Sequence, residues 1–184
     1  MPRLHAIAPE TTSGQVRNLL DAVQTKLGMV PNMMRTMANS PAVLEGYLQL
    51  SGALGHGKLP GRVREQISLA ISEANGCDYC LSAHSAIGKM VGLTADQIRD
   101  ARLGQSVDPK TDTVLRFARK VLENQGRVDE SDVEEVRAAG FDDTAIAEIV
   151  ANVALNVLTN FFNNVAETEI DFPRAPALQP AAAV

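Results

Sequence analysis

The chain has 184 residues, of which 45% are hydrophobic and 4% aromatic, and its formal net charge is −5. These totals suit one globular domain and exclude nucleic-acid binding, which needs clustered Lys and Arg or aromatic side chains that stack on bases. The sequence has neither a long uninterrupted apolar run nor an apolar leader after Met1. We therefore expect a cytoplasmic protein that makes no contact with a membrane.

Apolar residues recur at helical spacing along almost the whole chain, and no segment alternates as a strand does. We therefore predict an all-α fold that forms a single domain over residues 1–184. The predicted helices, in chain order, cover residues 11–27, 41–50, 60–74, 77–91, 94–101, 111–124, 131–139 and 144–165. Ser40, Thr94 and Ser131 are predicted N-caps. The tail 171–184 contains three prolines and is expected to be extended.

The last predicted helix has the clearest apolar pattern. Its apolar positions predict one broad buried face, made of Ile146, Ile149, Val150, Val153, Ala154, Val157, Leu158, Phe161, Phe162 and Val165.

The second half of the chain weakly repeats the first. Cys77, Cys80 and His84 follow Glu65 by 12, 15 and 19 residues. The same offsets separate Asn160, Asn163 and Glu167 from Glu148. We interpret this as a weak internal two-fold repeat of a helical unit in which one copy carries chemistry, and the alternative is coincidence among helical periods. Asn160, Asn163 and Glu167 in the second copy are expected to be structural, between helices where amides can pair.

The only two cysteines, Cys77 and Cys80, are three residues apart, too few and too close for a secreted disulfide scaffold. On a helix, residues three and four apart are neighbours, so Cys77, Cys80 and His84 share a face. The break at Asn75-Gly76 puts both cysteines in the first turn of a helix, where N–H groups favour a thiolate. The helix dipole favours Cys77 as the nucleophile, whereas the reach of His84 favours Cys80, and spacing leaves this open.

A carboxylate on the preceding helix can orient His84 or relay protons. Glu65 is the first candidate for this role, and Glu73, which is closer to the cysteines in sequence, is the second.

The pattern Glu65, Cys77-x-x-Cys80-x-x-x-His84 resembles the alkylhydroperoxidase D branch of the carboxymuconolactone decarboxylase family. The flanking segments 62–70, 92–94 and 27–32 extend the resemblance over residues 15–170. It implies an all-helical protein that forms homo-oligomers: dimers, trimers or hexamers of dimers. It also implies that Cys80 attacks a hydroperoxide, that Cys77 then captures the sulfenic acid as a disulfide, and that His84 and Glu65 relay protons.

One position departs from that family pattern. The family has a histidine just before the second cysteine, whereas this chain has Tyr79. The proton relay is therefore incomplete here, or it is rerouted through Tyr79 or water.

We predict a thiol-dependent peroxidase or disulfide oxidoreductase that uses a hydroperoxide and an external dithiol, with no metal or organic cofactor. The alternatives are a lyase acting on a cyclic lactone acid, as in the other branch of the family, and a non-catalytic redox-sensing module. A zinc site made of Cys77, Cys80, His84 and Glu65 is a further alternative, and so is a pair of buried, inert cysteines. Met29, Met33, Met34 and Met37 form either a pocket wall or part of the core or a subunit interface.

Overall fold

A computed structural model of the chain describes residues 1–178, and over these residues it contains helices and loops but no strand. The predicted all-α fold is confirmed. A short 3-10 turn at Pro9–Thr11 precedes helices α1 Gly14–Leu27, α2 Asn32–Met37, α3 Pro41–Gly55, α4 Gly61–Ala74, α5 Asp78–Met90, α6 Ala95–Arg102, α7 Pro109–Glu123, α8 Glu130–Ala138 and α9 Asp143–Ala166. In the predicted tail, residues 171–178 have irregular backbone, and residues 179–184 lie outside the described residues.

Aspartates set the start of the last three helices, and the sequence prediction overlooked them. Asp108 accepts a hydrogen bond from the Thr111 N–H at 3.0 Å, and α7 begins at the next residue. The prediction that Ser131 caps α8 is wrong, because Asp129 is the N-cap. Asp142 caps α9 in the same way. Asp caps a helix as well as Ser does, so the residue type does not decide between neighbouring candidates.

Helix α4 lies at the centre of the molecule and packs against α5, α6, α7 and α9. Its residues Ile67, Leu69 and Ile71 are fully buried. They belong to one apolar cluster shared with α6, α7 and α9, while a second cluster joins α1, α2 and α3 to the start of α5. The cysteine-bearing turn therefore lies where the two clusters meet.

The orientation of α9 differs from the prediction. Val150, Leu158, Phe161 and Val165, predicted to be buried, have exposed fractions of 43%, 42%, 54% and 63%. The buried face carries Asn152, Asn156, Asn160 and Asn163 beside Ile149 and Val153. Apolar periodicity was misleading here because these amides find partners across the helix interface. Asn156 Nδ2 donates to Ser68 Oγ at 3.1 Å, and Asn160 Nδ2 donates to Ser72 Oγ at 3.2 Å.

Among residues 1–178, α9 is the one helix long and apolar enough, by length and composition alone, to cross a membrane. Four buried asparagines lie on the face of α9 that packs against the rest of the fold.

Candidate active site

The turn between α4 and α5 is fixed from both sides. Gly76 has φ = +60°, a conformation that is strained for residues with a side chain. The Cys77 N–H then donates to the Ser72 carbonyl at 3.0 Å. From α9, Asn164 Nδ2 donates to the Asn75 carbonyl at 3.0 Å. These contacts hold the chain so that α5 begins directly after Cys77.

Cys77 is the N-cap of α5 and is joined to Cys80 by a disulfide, with the two Cα atoms 5.3 Å apart. That separation is within the usual range for disulfides. The Cys77 sulfur also accepts a hydrogen bond from the Cys80 N–H at 3.2 Å. Cys77 is fully buried, and Cys80 has an exposed fraction of 3%. The first turn of one helix thus brings the two sulfurs together, as a dithiol–disulfide couple requires.

Glu65 on α4 reaches the imidazole of His84. Its Oε2 lies 2.8 Å from His84 Nδ1, and the two side chains are 17% and 22% exposed. Glu65 thereby orients the ring, so Nε2 is the nitrogen that can exchange a proton with a bound molecule. Glu73 points elsewhere, because its carboxylate pairs with the buried Arg102 at 2.7 Å. The structure therefore brings Glu65, and not Glu73, to His84.

Tyr79 lines the site, and its hydroxyl is hydrogen-bonded to the backbone of Met33. The hydroxyl accepts a hydrogen bond from the Met33 N–H at 3.1 Å. Burial, reinforced by the neighbouring Asp171 carboxylate, raises the pKa of Tyr79, so the phenol stays protonated. The ring packs edge-on against Phe172, with the centroids 5.8 Å apart.

Tyr47 on α3 is a second phenol at the site, and nothing in the sequence marked it. Burial raises the pKa of Tyr47, a hydrogen bond with Ser51 opposes that shift, and the nearby Glu65 charge adds to it. A neutral phenol beside the Glu65–His84 pair can donate a hydrogen bond to a bound oxygen.

A cavity of about 200 Å³ opens beside Cys80 and His84. Apolar side chains make most of its wall: Leu27, Met29, Pro31, Met33, Met34, Ala83, Ile87, Met90 and Phe172, with Tyr47, Tyr79 and Thr159. Of the four clustered methionines, Met29, Met33 and Met34 line this cavity, and Met37 is buried in the adjoining core. Cys77 does not line the cavity. A molecule in the cavity therefore meets the Cys80 sulfur and not that of Cys77.

Asn163 is a site residue that the sequence analysis placed among structural amides. It is 3% exposed, and its Nδ2 lies 3.3 Å from the Cys80 sulfur. The sequence did contain a pointer to this residue, because Asn163 occupies the position of Cys80 in the weak internal two-fold repeat. The internal repeat itself remains a prediction. Glu148, which is the counterpart of Glu65 in that repeat, accepts hydrogen bonds from the Lys58 and Leu59 N–H groups at 2.9 Å each.

Zinc ligation by Cys77, Cys80, His84 and Glu65 was one of the alternatives that the sequence left open. Within residues 1–178, no three His, Cys, Asp or Glu side chains are grouped as ligands of one ion would be. The two sulfurs are bonded to each other, and the Glu65 carboxylate is bonded to His84.

Comparison with solved structures shows the same fold. A peroxidase-related protein with an alkylhydroperoxidase AhpD core, from Ralstonia eutropha JMP134, is 31% identical over 92% of each chain, with a TM-score of 0.82. A peroxidase-related protein from Silicibacter sp. TM1040 is 24% identical, over 92% of this chain and 94% of its own, with a TM-score of 0.78. The debrominase Bmp8 shares the fold at 22% identity over 92% of each chain, with a TM-score of 0.76.

Residues 41–124 match the carboxymuconolactone decarboxylase family, and no curated protein matches the chain. The matched segment holds Glu65, both cysteines and His84, whereas Asn163 and Phe172 lie outside it. The family match, the identity to the Ralstonia protein and the shared fold lead to one conclusion: the chain belongs to the carboxymuconolactone decarboxylase family, as a member with the alkylhydroperoxidase D-like fold.

Proposed function

We propose that this protein is a thiol peroxidase that reduces hydroperoxides with Cys80 and is regenerated by an external dithiol. One observation carries the proposal. A disulfide-bonded cysteine pair places Cys80 at the wall of an apolar cavity, and the same wall carries the His84 imidazole, which is bonded to the half-buried Glu65 carboxylate. A pair with a purely structural role would need neither the cavity nor the Glu65–His84 bond.

Access and hydrogen bonding support Cys80 as the attacking sulfur. Cys80 lines the cavity, and His84 lies one helical turn further along the same helix face. Cys77 is fully buried behind it and is in place to resolve the intermediate. Sequence spacing left two arguments open: the helix dipole favours Cys77, and the proximity of His84 favours Cys80. The proposal follows the second argument.

The reaction balances with the groups present and one external reductant. The Cys80 thiolate attacks the terminal oxygen of the hydroperoxide, an S–O bond forms, and the O–O bond breaks. The leaving alkoxide takes a proton from the protonated His84, and Glu65 stabilises that imidazolium. The Cys77 thiol then displaces hydroxide from the sulfenic acid, forming the disulfide and releasing water. An external dithiol supplies two electrons and two protons to restore both thiols.

The cavity supports an organic hydroperoxide with a compact apolar group as the substrate. Methionine and phenylalanine side chains surround the sulfur, and such surfaces favour an alkyl or aryl group over bulk water. Tyr47 and His84 are the polar groups available for the peroxide oxygens. Reduced dithiol pools belong to the cytoplasm, so we place the protein in that compartment.

We further propose that the protein is a homo-oligomer built through α9. Val150, Leu158, Phe161 and Val165 form an exposed apolar stripe at helical spacing on this helix. Such a contiguous stripe is uncommon on the surface of a monomer and is typical of an interface. Light scattering on the purified protein, compared with Phe161→Glu and Leu158→Glu variants, tests this. A monomer in the wild-type protein contradicts it.

Peroxide turnover coupled to a dithiol tests the main proposal. The wild-type protein should consume an organic hydroperoxide catalytically, and Cys80→Ser should abolish this. In the absence of the dithiol, Cys77→Ser should still consume one equivalent of hydroperoxide and stop at the Cys80 sulfenic acid, because serine keeps the N-cap of α5 but cannot close the disulfide. If both variants keep wild-type turnover, the proposal is wrong.

The same variants separate the two alternatives. Turnover of a carboxymuconolactone that survives both cysteine substitutions supports the lyase. Reversible oxidation of the thiols by one equivalent of peroxide, without catalytic turnover, supports a redox-sensing module.

A further inference from the structure

We propose that Asn163 is a catalytic hydrogen-bond donor that stabilises the Cys80 thiolate. This inference rests on the proposed function, since it concerns the sulfur that attacks the hydroperoxide. Asn163 belongs to α9, outside the segment that matches the family, and it approaches the cysteine turn from the opposite helix. Its Nδ2 is 3.3 Å from the Cys80 sulfur.

Asn163 differs from the other asparagines on the inner face of α9. Asn156 donates to Ser68 and to the Asn152 carbonyl, and Asn160 both donates to Ser72 and accepts from Asn75. Asn163 instead donates to a sulfur, and its Oδ1 is buried with no hydrogen-bond partner among residues 1–178. As a packing element alone it would be a poor choice, because a buried amide oxygen without a partner is destabilising.

The hydrogen bond from Asn163 becomes stronger when the disulfide is reduced. A disulfide sulfur is a weak acceptor, whereas a thiolate is a charged and strong one. The same amide therefore interacts more strongly with the reactive form of Cys80 than with the oxidised form. A donor that stabilises the thiolate increases the fraction of Cys80 present in the nucleophilic form.

The contact also distinguishes the two cysteines. In the oxidised pair, the Cys77 sulfur receives one backbone N–H, that of Cys80, as the N-cap of α5. The Cys80 sulfur receives a side-chain donor from a separate helix, and it faces the cavity. The tertiary structure thus adds a thiolate-stabilising group at the sulfur that substrate can reach.

Other groups around Cys80 also influence its ionisation. The titratable groups of the surrounding wall are His84 and Tyr79 on α5, Glu65 on α4 and Tyr47 on α3. On α9, Asn163 supplies a dipole without a charge. Its replacement therefore removes a donor while leaving every titratable neighbour in place.

The experiment measures the ionisation of Cys80 directly, without peroxide. In a Cys77→Ser protein, Cys80 is the sole thiol, and its alkylation rate by iodoacetamide is followed across the pH range. Asn163→Leu should raise the midpoint of that profile by about 1–2 pH units, the size expected for a hydrogen bond to a charged group. Asn163→Asp, which has the same shape, should raise it further, because a carboxylate repels the thiolate.

A matched control and an independent readout complete the test. Asn156→Leu removes a buried amide from the same helix face but touches no sulfur, so its midpoint should equal that of the parent. Thiolate ultraviolet absorbance repeats the titration and, with circular dichroism, detects any variant that has lost its fold. Unchanged midpoints in folded Asn163→Leu and Asn163→Asp proteins overturn the inference.

The outcome is distinguishable from failure of the proposed function. If the midpoints shift but the wild-type protein turns over no hydroperoxide, the thiolate donor stands and the peroxidase proposal fails. If turnover occurs and the midpoints do not move, the peroxidase stands and Asn163 is a packing residue only.

Discussion

Glu65→Gln is the substitution that most directly probes the proposed proton relay. It keeps the shape of the side chain and its oxygen acceptor but removes the negative charge opposite His84. We expect kcat/KM for an organic hydroperoxide to fall, because a neutral amide stabilises the imidazolium less well than a carboxylate does. The folded protein should change little in stability, since the amide oxygen can still accept from Nδ1.

The size of the effect follows from the contact itself. The 2.8 Å distance between Glu65 Oε2 and His84 Nδ1 is that of a charge-assisted hydrogen bond. Such bonds contribute about 1.5–3 kcal/mol, and about 1.4 kcal/mol corresponds to a factor of ten in rate. Because both side chains are partly exposed, at 17% and 22%, the lower half of that range applies. Because the glutamine amide still makes a neutral hydrogen bond, about half as strong as a charge-assisted one, only about half of that energy is lost and we expect kcat/KM to fall by about 3- to 7-fold.

Glu73→Gln on the same helix is the matched control. Glu73 pairs with Arg102 and does not contact His84, so its loss should reduce stability but leave kcat/KM per folded protein unchanged. The assay is steady-state peroxide reduction with saturating dithiol, run well below the unfolding temperature of each variant. The reasoning is refuted if Glu65→Gln retains wild-type kcat/KM, or if Glu73→Gln is the more damaging of the two.

Three further outcomes are expected. Arg102→Met should lower the free energy of unfolding by about 2 kcal/mol, because it leaves the part-buried Glu73 carboxylate without its partner. Adding Glu73→Gln should restore part of that loss, as measured by urea unfolding. The Lys58 ammonium lowers the pKa of Asp142, so this pair stabilises the fold above the ordinary pKa of 3.8 and the effect is lost as the pH falls below it. The urea midpoints of wild type and Asp142→Asn should differ above that pH and converge below it. A difference that stays constant with pH would contradict this. Phe172→Ala opens the cavity wall and should raise kcat/KM for a bulky aryl hydroperoxide relative to a small alkyl one. An unchanged ratio would show that Phe172 does not limit substrate size.

Much of the site followed from local spacing. The positions of Cys77, Cys80 and His84 on one helix face depend only on helical geometry and on the break at Asn75-Gly76, which are both local properties. The disulfide-bonded pair in the structure agrees with that prediction. Helix starts were less predictable, because Asp108, Asp129 and Asp142 compete with nearby Ser and Thr as caps.

Contacts between distant segments could not be read from spacing. The sequence offered Glu65 as the first and Glu73 as the second candidate acid on one helix. The packing of α4 against α5 and α6 brings Glu65 to His84 and Glu73 to Arg102. The buried face of α9 was predicted wrongly, because apolar periodicity gives no weight to amides that find partners across an interface.

The amino-acid sequence by itself determined the helical class, the redox-capable pair and the histidine one turn beyond it, because each depends on residues within a few positions of one another. The tertiary structure decided which sulfur faces a cavity, which carboxylate holds the imidazole and which amide touches the sulfur. These choices depend on how α3, α4, α5 and α9 pack together, and side-chain packing over long separations in sequence is a property of the whole fold.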